Sequence, residues 1–491
     1  MFKELYDSYI ECSQNKSNTQ NALVFAIQKE KNLMALIYDL QKSTYKVWKS
    51  IYFIITYPKV REVFAGDFRD RVVHHFFIRS IEKNFYKDLT PSAYSCIKNR
   101  WTHRCIEDIK SIYWDYKYYL QIDIKSFFMS IDKHILKQKV TRYLPKNDRE
   151  HINSKNIDFD VGIYSYILDI ILQNNPTTHC IYKWDKNVKK LLPPHKSLFN
   201  CKDWVGLPIW NYTSQFFANV YLNDLDKYIL QELWVKHYYR YVDDLVLFWN
   251  DYKKLTSYRD MINNYLKREL NMELVWDKTH LKQTSHWLDF LGYFIKLHVV
   301  YTRKRVKNTF LKKINMLQDT VIHYHNYDSI KFKIINFDTQ ETLSFMSCVS
   351  SYIWHMKHCN AKNLLKRFYF KNSFLKYYFD KSYQKQKYLK SKKFKNNYTW
   401  YKYFEYLYKN TILFYKIGTY YVFMKKYLYL LSLGPWFKFD FIKIYDNIWF
   451  KIDIKYYKLC ILHVLKYTDK NILLLDRLWD KLFIKQLFIK Q

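Results

Sequence analysis

The sequence has few glycine, proline and cysteine residues, the types that end regular elements, form flexible linkers or cross-link a chain. It holds 6 glycines and 8 prolines in 491 residues, and it contains no glycine- or serine-rich linker. Its 8 cysteines form no CxxC pair, a pattern that favours reduced thiols over a disulfide framework or a structural zinc site. The sequence therefore predicts packed units without flexible hinges, in a cytoplasmic protein.

The sequence also lacks an apolar run long enough to span a bilayer. The most apolar stretch, at 411–437, is interrupted by Lys416, Lys425 and Lys426. A transmembrane helix needs roughly 20 consecutive apolar residues. The first residues, MFKELYDSYIECSQNK, are acidic and polar too early for a secretory signal. No membrane partner is expected.

Acidic residues are scarce relative to basic ones. Lys and Arg number 81 against 45 Asp and Glu, which gives a formal net charge of +36. Such an excess is costly in a compact body unless a polyanion neutralises it, so nucleic acid is the first expected partner and a membrane surface the weaker one. Tyr, Phe, Lys, Ile and Asn are abundant everywhere, as in the product of an AT-rich gene, so composition alone does not establish recognition.

Three of the few carboxylates stand at the ends of apolar strands. The segment YYLQIDIKSFFMSIDKHIL predicts a strand at 118–124 that carries Asp123, followed by a helix with Asp132 as its N-cap. The segment HYYRYVDDLVLFW predicts a hairpin with Asp243 and Asp244 at its bend. An isolated edge-strand acid and a solvated turn are the plainer interpretations of the two segments.

Carboxylates that converge from two buried strands repel one another and lose hydration. Two Mg²⁺ ions, with Mn²⁺ as an alternative, would remove that penalty. Metals about 3.5–4 Å apart can activate a 3′-hydroxyl and hold a leaving pyrophosphate. Asp123, Asp243 and Asp244 are therefore the predicted catalytic and metal-binding residues of a nucleotidyl-transfer centre.

The sequence and the order of these motifs resemble those of reverse transcriptases over about residues 52–313. Within that family the motifs are similar to the bacterial branch of diversity-generating, abortive-infection and defence-associated enzymes, the last above all. Asp123 matches the first acidic motif, and YVDD at 241–244 matches the second. The resemblance implies an α+β fold of the right-hand polymerase type, with Phe128 as the gate that excludes ribonucleotides and DNA as the product; core packing is the plainer role for Phe128.

The resemblance also implies a set of nucleotide-binding residues. In this family, the fingers contribute cationic residues that bind the triphosphate of the incoming nucleotide. The segment GLPIWNYTSQ resembles a family motif that lies beside the nucleotide. The lysine of the segment ELVWDKT matches a family lysine that acts on pyrophosphate. The matching residues here are Lys59, Arg61, Phe128, Asn211, Ser214, Gln215 and Lys278.

Two further blocks resemble regions that hold nucleic acid. The turn FLGYF is similar to a primer grip, and the basic helix after it is placed like a thumb against a duplex backbone. The primer-grip residues are Phe290, Leu291, Gly292 and Tyr293, and the backbone-binding residues are Arg303, Arg305, Lys307, Lys312 and Lys313.

Two tryptophans depart from the family pattern in the region of the template and the nascent base pair. Trp210 replaces the glycine that ends GLPIG, and Trp101 replaces a glycine just before Thr-His. Neutral drift with local rearrangement is one interpretation. The other is that template use is restricted, repetitive or absent, because an indole would stack on the nascent pair or occupy its space.

The resemblance divides the chain into a hand and an extension. The expected parts are an N-terminal helical segment (1–50), fingers with palm elements (51–120 and 135–205), palm (121–134 and 206–298), thumb (299–375) and a basic, aromatic extension (376–491). We expect the extension to be α-helical, with its Lys- and Tyr-rich stretch at 376–410 suited to single-stranded nucleic acid. Composition drift on a solvated helical face is the alternative.

The leading function implied by the resemblance is RNA-directed DNA synthesis with a dedicated structured non-coding RNA, in antiphage defence. The expected partners are that RNA, the DNA product and deoxyribonucleoside triphosphates, while a second copy of the chain or a partner protein is left open. Three alternatives remain: template-independent or protein-primed synthesis by the same site, a diversity-generating retroelement enzyme, and a catalytically vestigial RNA-binding assembly protein.

Overall fold

A computed structural model describes most of the chain and divides it into two compact units. The described residues are 1–14, 19–56, 59–145, 162–183, 188, 190–327, 330–337, 339–372, 374–379, 392–393, 411–417, 420–424, 440–444, 447–453, 458, 461–462, 464–465, 471–478 and 481–490. Unit 1 comprises Met1–Leu291 and Ile295–His298, and unit 2 comprises Gly292–Phe294 and Val299–Gln491.

Unit 1 mixes helices with short strands. Its described helices are α1 (Phe2–Ser13), α2 (Gln20–Ile27), α3 (Lys29–Gln41), α4 (Phe68–Asp88), α5 (Thr102–Ile112), α6 (Phe127–Ser130), α7 (Lys133–Thr141), α8 (Ile163–Gln173), α9 (Tyr212–Lys227) and α10 (Tyr252–Leu270). Its strands are β1 (Ser50–Ile55), β2 (Arg61–Ala65), β3 (Tyr118–Asp123), β4 (Cys180–Tyr182), β5 (Tyr238–Tyr241), β6 (Asp244–Trp249), β7 (His280–Gln283) and β8 (Leu288–Phe290), with β9 (Tyr293–Lys296) at the division between the units.

The four-stranded sheet β5-β6-β3-β7 is antiparallel and forms the centre of unit 1. Its two middle strands carry residues with strong strand preference, and Ile122, Leu245 and Leu247 are fully buried. Helix α9 packs into the same core through Phe217 and Tyr221. The buried middle strands fix the register, because a slip by one residue would turn every apolar side chain to the opposite face.

The predicted helix after β3 is confirmed, together with its cap. Helix α7 begins at Lys133, and the Asp132 carboxylate accepts hydrogen bonds from the backbone N–H groups of His134 and Ile135. This cap satisfies two of the four N–H groups that a helix start leaves unpaired.

Unit 2 contains helices and a large sheet. Its remaining elements are β10 (Val299–Thr302), α11 (Lys304–Val321), β11 (Ile322–Tyr327), β12 (Ile330–Asn336), α12 (Gln340–Lys357), α13 (Lys362–Lys371), α14 (Leu375–Tyr378), β13 (Lys392–Lys393), β14 (Thr411–Ile417), β15 (Tyr420–Met424), β16 (Asp440–Ile444), β17 (Asn447–Asp453), β18 (Asn471–Leu478) and β19 (Lys481–Lys490). The strands run in the order β11-β12-β19-β18-β14-β15-β17-β16, with β13 on β19.

The predicted α-helical extension is wrong for the residues that the structure describes. Between 411 and 490 these residues form mainly strands, and the segments TILFYKI, YYVFM and KLFIKQLFIK explain why, because they are rich in β-branched and aromatic residues. Strand β12, from the segment predicted as thumb, pairs with β19 from the extension. Most of the stretch 376–410, predicted to bind single strands, lies outside the described residues.

Candidate catalytic site

Three carboxylates meet at one end of the central sheet of unit 1. Asp123 ends β3 and Asp244 begins β6, and the two residues are direct partners in the antiparallel register. Asp243 lies one residue earlier, in the two-residue turn that joins β5 to β6 where Tyr241 pairs with Asp244. The register of two buried strands thus brings together Asp123 and Asp244, which are 121 positions apart in sequence.

The turn that presents Asp243 has an unusual backbone. Val242 adopts a φ of 58°, in the left-handed region that β-branched residues rarely occupy. Turns of this length follow the twist of the flanking strands only when central residues take positive φ. The strained valine therefore places Asp243 and Asp244 at the bend.

The electrostatics of the site are those of crowded carboxylates. Burial, together with the neighbouring charges of Asp243 and Asp123, raises the pKa of Asp244 to about 7. Burial likewise raises the pKa of Asp243, with a further contribution from Asp123. Mutual repulsion and lost hydration are the physical causes, and both would be relieved by a bound cation.

Three basic side chains oppose this crowding. The Lys278 ammonium donates to Asp123 Oδ2 at 2.7 Å, and this ion pair raises the pKa of Lys278. Lys59 lowers the pKa of both Asp243 and Asp244, and Arg61 lowers that of Asp243. The predicted cations of the fingers and the predicted pyrophosphate lysine thus lie within electrostatic reach of the acids.

The donor set fits hard divalent cations. Carboxylate oxygens are the ligands that Mg²⁺ and Mn²⁺ prefer in polymerase sites, and raised carboxylate pKa values mark a place where positive charge is lacking. Among the described residues, no three His, Cys, Asp or Glu side chains form a ready-made metal cage. Asp123 pairs with Lys278, so metal binding here would replace an ammonium with a cation of higher charge.

A buried ion pair supports the hairpin, and the sequence motifs did not single it out. Arg240 is fully buried in β5, and its guanidinium donates to Asp226 of α9, with the closest contact at 2.7 Å. It also donates to the side chain of Asn219 at 3.1 Å and to the Val242 carbonyl at 3.3 Å. Tyr238 donates to the same Asp226 carboxylate. The sequence offered one signal for this ion pair. Arg240 lies inside an apolar strand, and an acid on a buried helix face lies 14 positions before it.

Comparison with known families decides what kind of domain surrounds these acids. Residues 58–295 match the family model of reverse transcriptase (RNA-dependent DNA polymerase). They form a reverse transcriptase domain. The predicted enzyme class is confirmed at this level, because such a domain is a nucleotidyltransferase of the RNA-directed DNA polymerase type. The mixed helix-and-sheet architecture with an antiparallel palm sheet also confirms the predicted fold class, apart from the extension.

Solved structures similar to this chain include yeast telomerases, at low similarity. Apo telomerase from Candida Tropicalis truncated from its C-terminal domain has 11% identity and a TM-score of 0.35, covering 56% of this chain and 60% of that one. Telomerase from Candida albicans in complex with a TWJ fragment of telomeric RNA has 11% identity and a TM-score of 0.35, covering 65% of this chain and 55% of that one. The chain thus spans less than two thirds of these telomerases. No curated protein matches the chain.

The other predicted nucleotide-binding residues of the reverse transcriptase domain differ in their burial and in their contacts. Phe128 is half-buried and packs edge-on against Phe127 with ring centroids 5.3 Å apart. Asn211 is the N-cap residue of α9, and Gln215 in the first turns of that helix is within 3.5 Å of the Cys96 thiol. Ser214 is 2% exposed, so its side chain is buried.

The two tryptophans that depart from the family pattern are both exposed. Trp101 is 54% exposed and directly precedes α5, and Trp210 is 53% exposed with a φ of 76°. The next residue after Trp101, Thr102, donates to the Tyr241 hydroxyl at 3.0 Å, and this hydrogen bond connects the loop to the β5–β6 hairpin. Neither indole is a core residue.

The predicted primer-grip residues form a tight turn after β8. Leu291 and Gly292 both take positive φ, and Phe290 is buried. Tyr293, in unit 2, is buried and its hydroxyl lies 2.9 Å from His355 Nδ1. The turn is present as predicted, while contact with a primer stays a prediction.

The basic helix predicted as part of a thumb is present as α11, which begins at Lys304. Its buried face carries Phe310 and Ile314, and the predicted phosphate-binding residues occupy other positions. Arg305, Lys307 and Lys312 are exposed, Arg303 and Lys313 are half-buried, and the Lys313 ammonium lies 6.0 Å from the ring centroid of Tyr352.

Among the helices that the structure describes, none is long and apolar enough to cross a bilayer.

Proposed function

We propose that the chain is a Mg²⁺-dependent, RNA-directed DNA polymerase. The single observation that carries this proposal is the pairing of Asp123 with Asp244 across two buried strands, with Asp243 in the adjoining turn. The reverse transcriptase domain over residues 58–295 supports the same reaction.

Each residue of the site has a distinct role in this proposal. Asp123, Asp243 and Asp244 would hold the divalent cations, and such cations would lower the pKa of a primer 3′-hydroxyl and stabilise the pyrophosphate leaving group. Lys59 and Arg61 neutralise the incoming triphosphate, since ammonium and guanidinium groups both suit phosphate oxygens. Lys278, whose ammonium pairs with Asp123, would neutralise charge on the pyrophosphate leaving group. Phe128 excludes a ribose 2′-hydroxyl.

The biological setting that we propose is antiphage defence with a structured non-coding RNA as template or scaffold. The motif resemblance to defence-associated enzymes supports this setting. The formal charge of +36 supports an RNA partner, since phosphate neutralisation is the main source of such affinity.

The chemistry is tested by deoxynucleotide incorporation on the RNA and primer that copurify with the protein. Asp243→Asn removes a metal ligand without changing size, and we expect incorporation to fall by on the order of 10³-fold. Asp260→Asn, at an exposed acid on α10 paired with Arg259, is the control and should keep wild-type activity. Sequencing the RNA and DNA in the same preparation identifies template, product and primer.

Wild-type incorporation by Asp243→Asn would contradict the proposed site. Retention of phage protection by a strain with Asp243→Asn, together with lost incorporation, would favour the RNA-binding assembly protein.

A second candidate is altered template use by the same site, and the exposure of Trp101 and Trp210 favours it. Exposed indoles at the edge of the catalytic domain can stack on bases, and such stacking tolerates any sequence. Trp210→Gly should broaden template choice in primer extension across mixed templates, because glycine accepts the φ of 76° and removes the ring. Trp234→Gly is a matched control, since Trp234 is also exposed with a positive φ. Unchanged template choice in Trp210→Gly would remove this candidate.

A further inference from the structure

Helix α7 carries two lysines that are equally buried but have different surroundings. Lys133 and Lys139 are each 7% exposed. Lys139 forms an ion pair with Asp224 of α9, which Arg142 also contacts at 3.0 Å. Lys133 has no carboxylate partner among the described residues, and its ammonium makes one long hydrogen bond, 3.5 Å to the Asn174 carbonyl. A buried ammonium normally needs a counter-charge, because burial removes its hydration.

Lys133 lines a cavity of about 240 Å³. A single bound water needs only about 10–15 Å³, so the cavity has room for a polyatomic ion. Its walls come from α7, from the end of α8 with Gln173 and Asn175, and from the segment 198–208. Lys202 is a second cation on this wall.

No group in the described lining neutralises Lys133. The one carboxylate there, Asp203, is exposed and forms no ion pair with Lys133. Burial raises the pKa of the adjacent Cys201 thiol to about 11, with Glu62 contributing, so this sulfur is uncharged at neutral pH. Burial also lowers the pKa of Lys133. Among the described lining residues, the cavity therefore joins a buried cation to the side-chain amides of Gln173 and Asn175, and its one carboxylate forms no ion pair with that cation.

We propose that this cavity is a binding site for a phosphate-class oxyanion, held by Lys133 with Lys202 and the amides of Gln173 and Asn175. A tetrahedral oxyanion suits the site because its oxygens accept hydrogen bonds from several directions, as the donors on three separate segments require. The source is free orthophosphate or pyrophosphate. This inference goes beyond the proposed polymerase reaction and does not depend on it.

Backbone hydrogen bonds connect the cavity wall to the catalytic region. The Lys133 N–H donates to the Trp204 carbonyl at 2.9 Å, and the Leu207 N–H donates to the Phe128 carbonyl at 2.8 Å. An anion that bridges Lys133 to the segment 198–208 would stabilise the loop that supports Phe128 and leads into α9.

Thermal unfolding of the full chain in EDTA tests the site, because chelation prevents the catalytic carboxylates from binding phosphate through divalent cations. Orthophosphate and pyrophosphate are titrated separately at constant ionic strength with chloride. We expect a saturable rise in Tm for at least one of them, about 3–5 °C at 100 times its Kd. The ion that gives the tighter response identifies the source.

Matched variants separate this site from general binding to a basic protein. Lys133→Met should abolish the saturable rise and should not lower Tm in chloride alone, because it removes a charge without breaking an ion pair. Lys139→Met should lower Tm yet keep the rise. If Lys139→Met fails to fold, Lys137→Met, at a half-exposed lysine paired with Asp169, replaces it. A wild-type chain without a saturable rise, or an equal rise in Lys133→Met, would overturn the proposal.

Discussion

The β5–β6 hairpin contributes to two clusters of charge that differ in how they are compensated. Arg240 in β5 and Asp226 on α9 are both fully buried and neutralise each other through several hydrogen bonds. A few residues further on, Asp243 and Asp244 are crowded together with Asp123 and have raised carboxylate pKa values. The first cluster is neutralised within the protein, whereas the second retains an excess of negative charge.

The difference shows how a strand can present repelling acids without losing its register. The Arg240 guanidinium reaches both helix α9, through Asp226, and the Val242 carbonyl at the turn. The Arg240–Asp226 pair thus stabilises the backbone of the turn that carries Asp243 and Asp244. Arg240 is a positioning residue, because it touches the hairpin backbone and not the acids themselves.

The largest expected effect comes from breaking the compensated cluster. Arg240→Met leaves Asp226 buried without its partner, and we expect the free energy of unfolding to fall by about 3–5 kcal/mol. Urea unfolding measures this change. Arg259→Met is the control, since Arg259 pairs with the exposed Asp260 and such surface pairs contribute about 0–1 kcal/mol. A loss below about 1 kcal/mol in Arg240→Met would show that the pair does not hold the hairpin.

A smaller effect should follow from removing the lysine that opposes the acids. Lys278→Met deletes the cation at Asp123 Oδ2, and we expect the rate of nucleotide incorporation to fall about 10–100-fold. Stability should change little, because Lys278 is largely exposed and its ion pair is screened by solvent. Lys282→Met, at an exposed lysine on β7, is the control. Equal activity in the two variants would remove Lys278 from the reaction.

The smallest expected effect is a pH-dependent gain in stability from neutralising one acid. The pKa of Asp244 is about 7 in the folded protein, against an ordinary value of 3.8. Between these values the folded state binds more protons than the unfolded state, so stability falls as pH rises through this window. Asp244→Asn removes that fall.

In EDTA, Asp244→Asn should match wild type near pH 4 and exceed its Tm above pH 7 by about 1–3 °C. Asp260→Asn, measured over the same pH range, is the control. A Tm difference that stays constant from pH 4 to pH 8 would show that Asp244 is not destabilised by its neighbours.

The elements around the acids could be predicted from sequence because their signals are local. Alternating apolar residues marked β3, β5 and β6, and Asp132 was recognisable as a cap. The meeting of Asp123 with Asp244 followed from two such strands joining one sheet. The mixed fold of unit 1 was accessible for the same reason.

The features that the sequence did not reveal depend on pairings between distant residues. Asp226 on α9 looked like one more polar position until Arg240 was placed against it. Lys133 and Lys139 are indistinguishable in sequence, and only packing gives one of them a carboxylate. In unit 2, the sequence analysis predicts a helical extension rich in Lys and Tyr, whereas the aromatic and β-branched residues between 411 and 490 form strands.

The place of β19 inside the sheet of unit 2 has a consequence for synthesis on the ribosome. This strand lies between β12 and β18, and the Gln486 amide donates to Asn336 Oδ1, a residue 150 positions earlier. At translation rates of 5–20 residues per second, β12 waits about 8–30 s with an open edge before its neighbour emerges. Nascent chains at this stage carry an unpaired strand edge that favours association with other chains, so chaperone demand should concentrate between the emergence of β12 and that of β19.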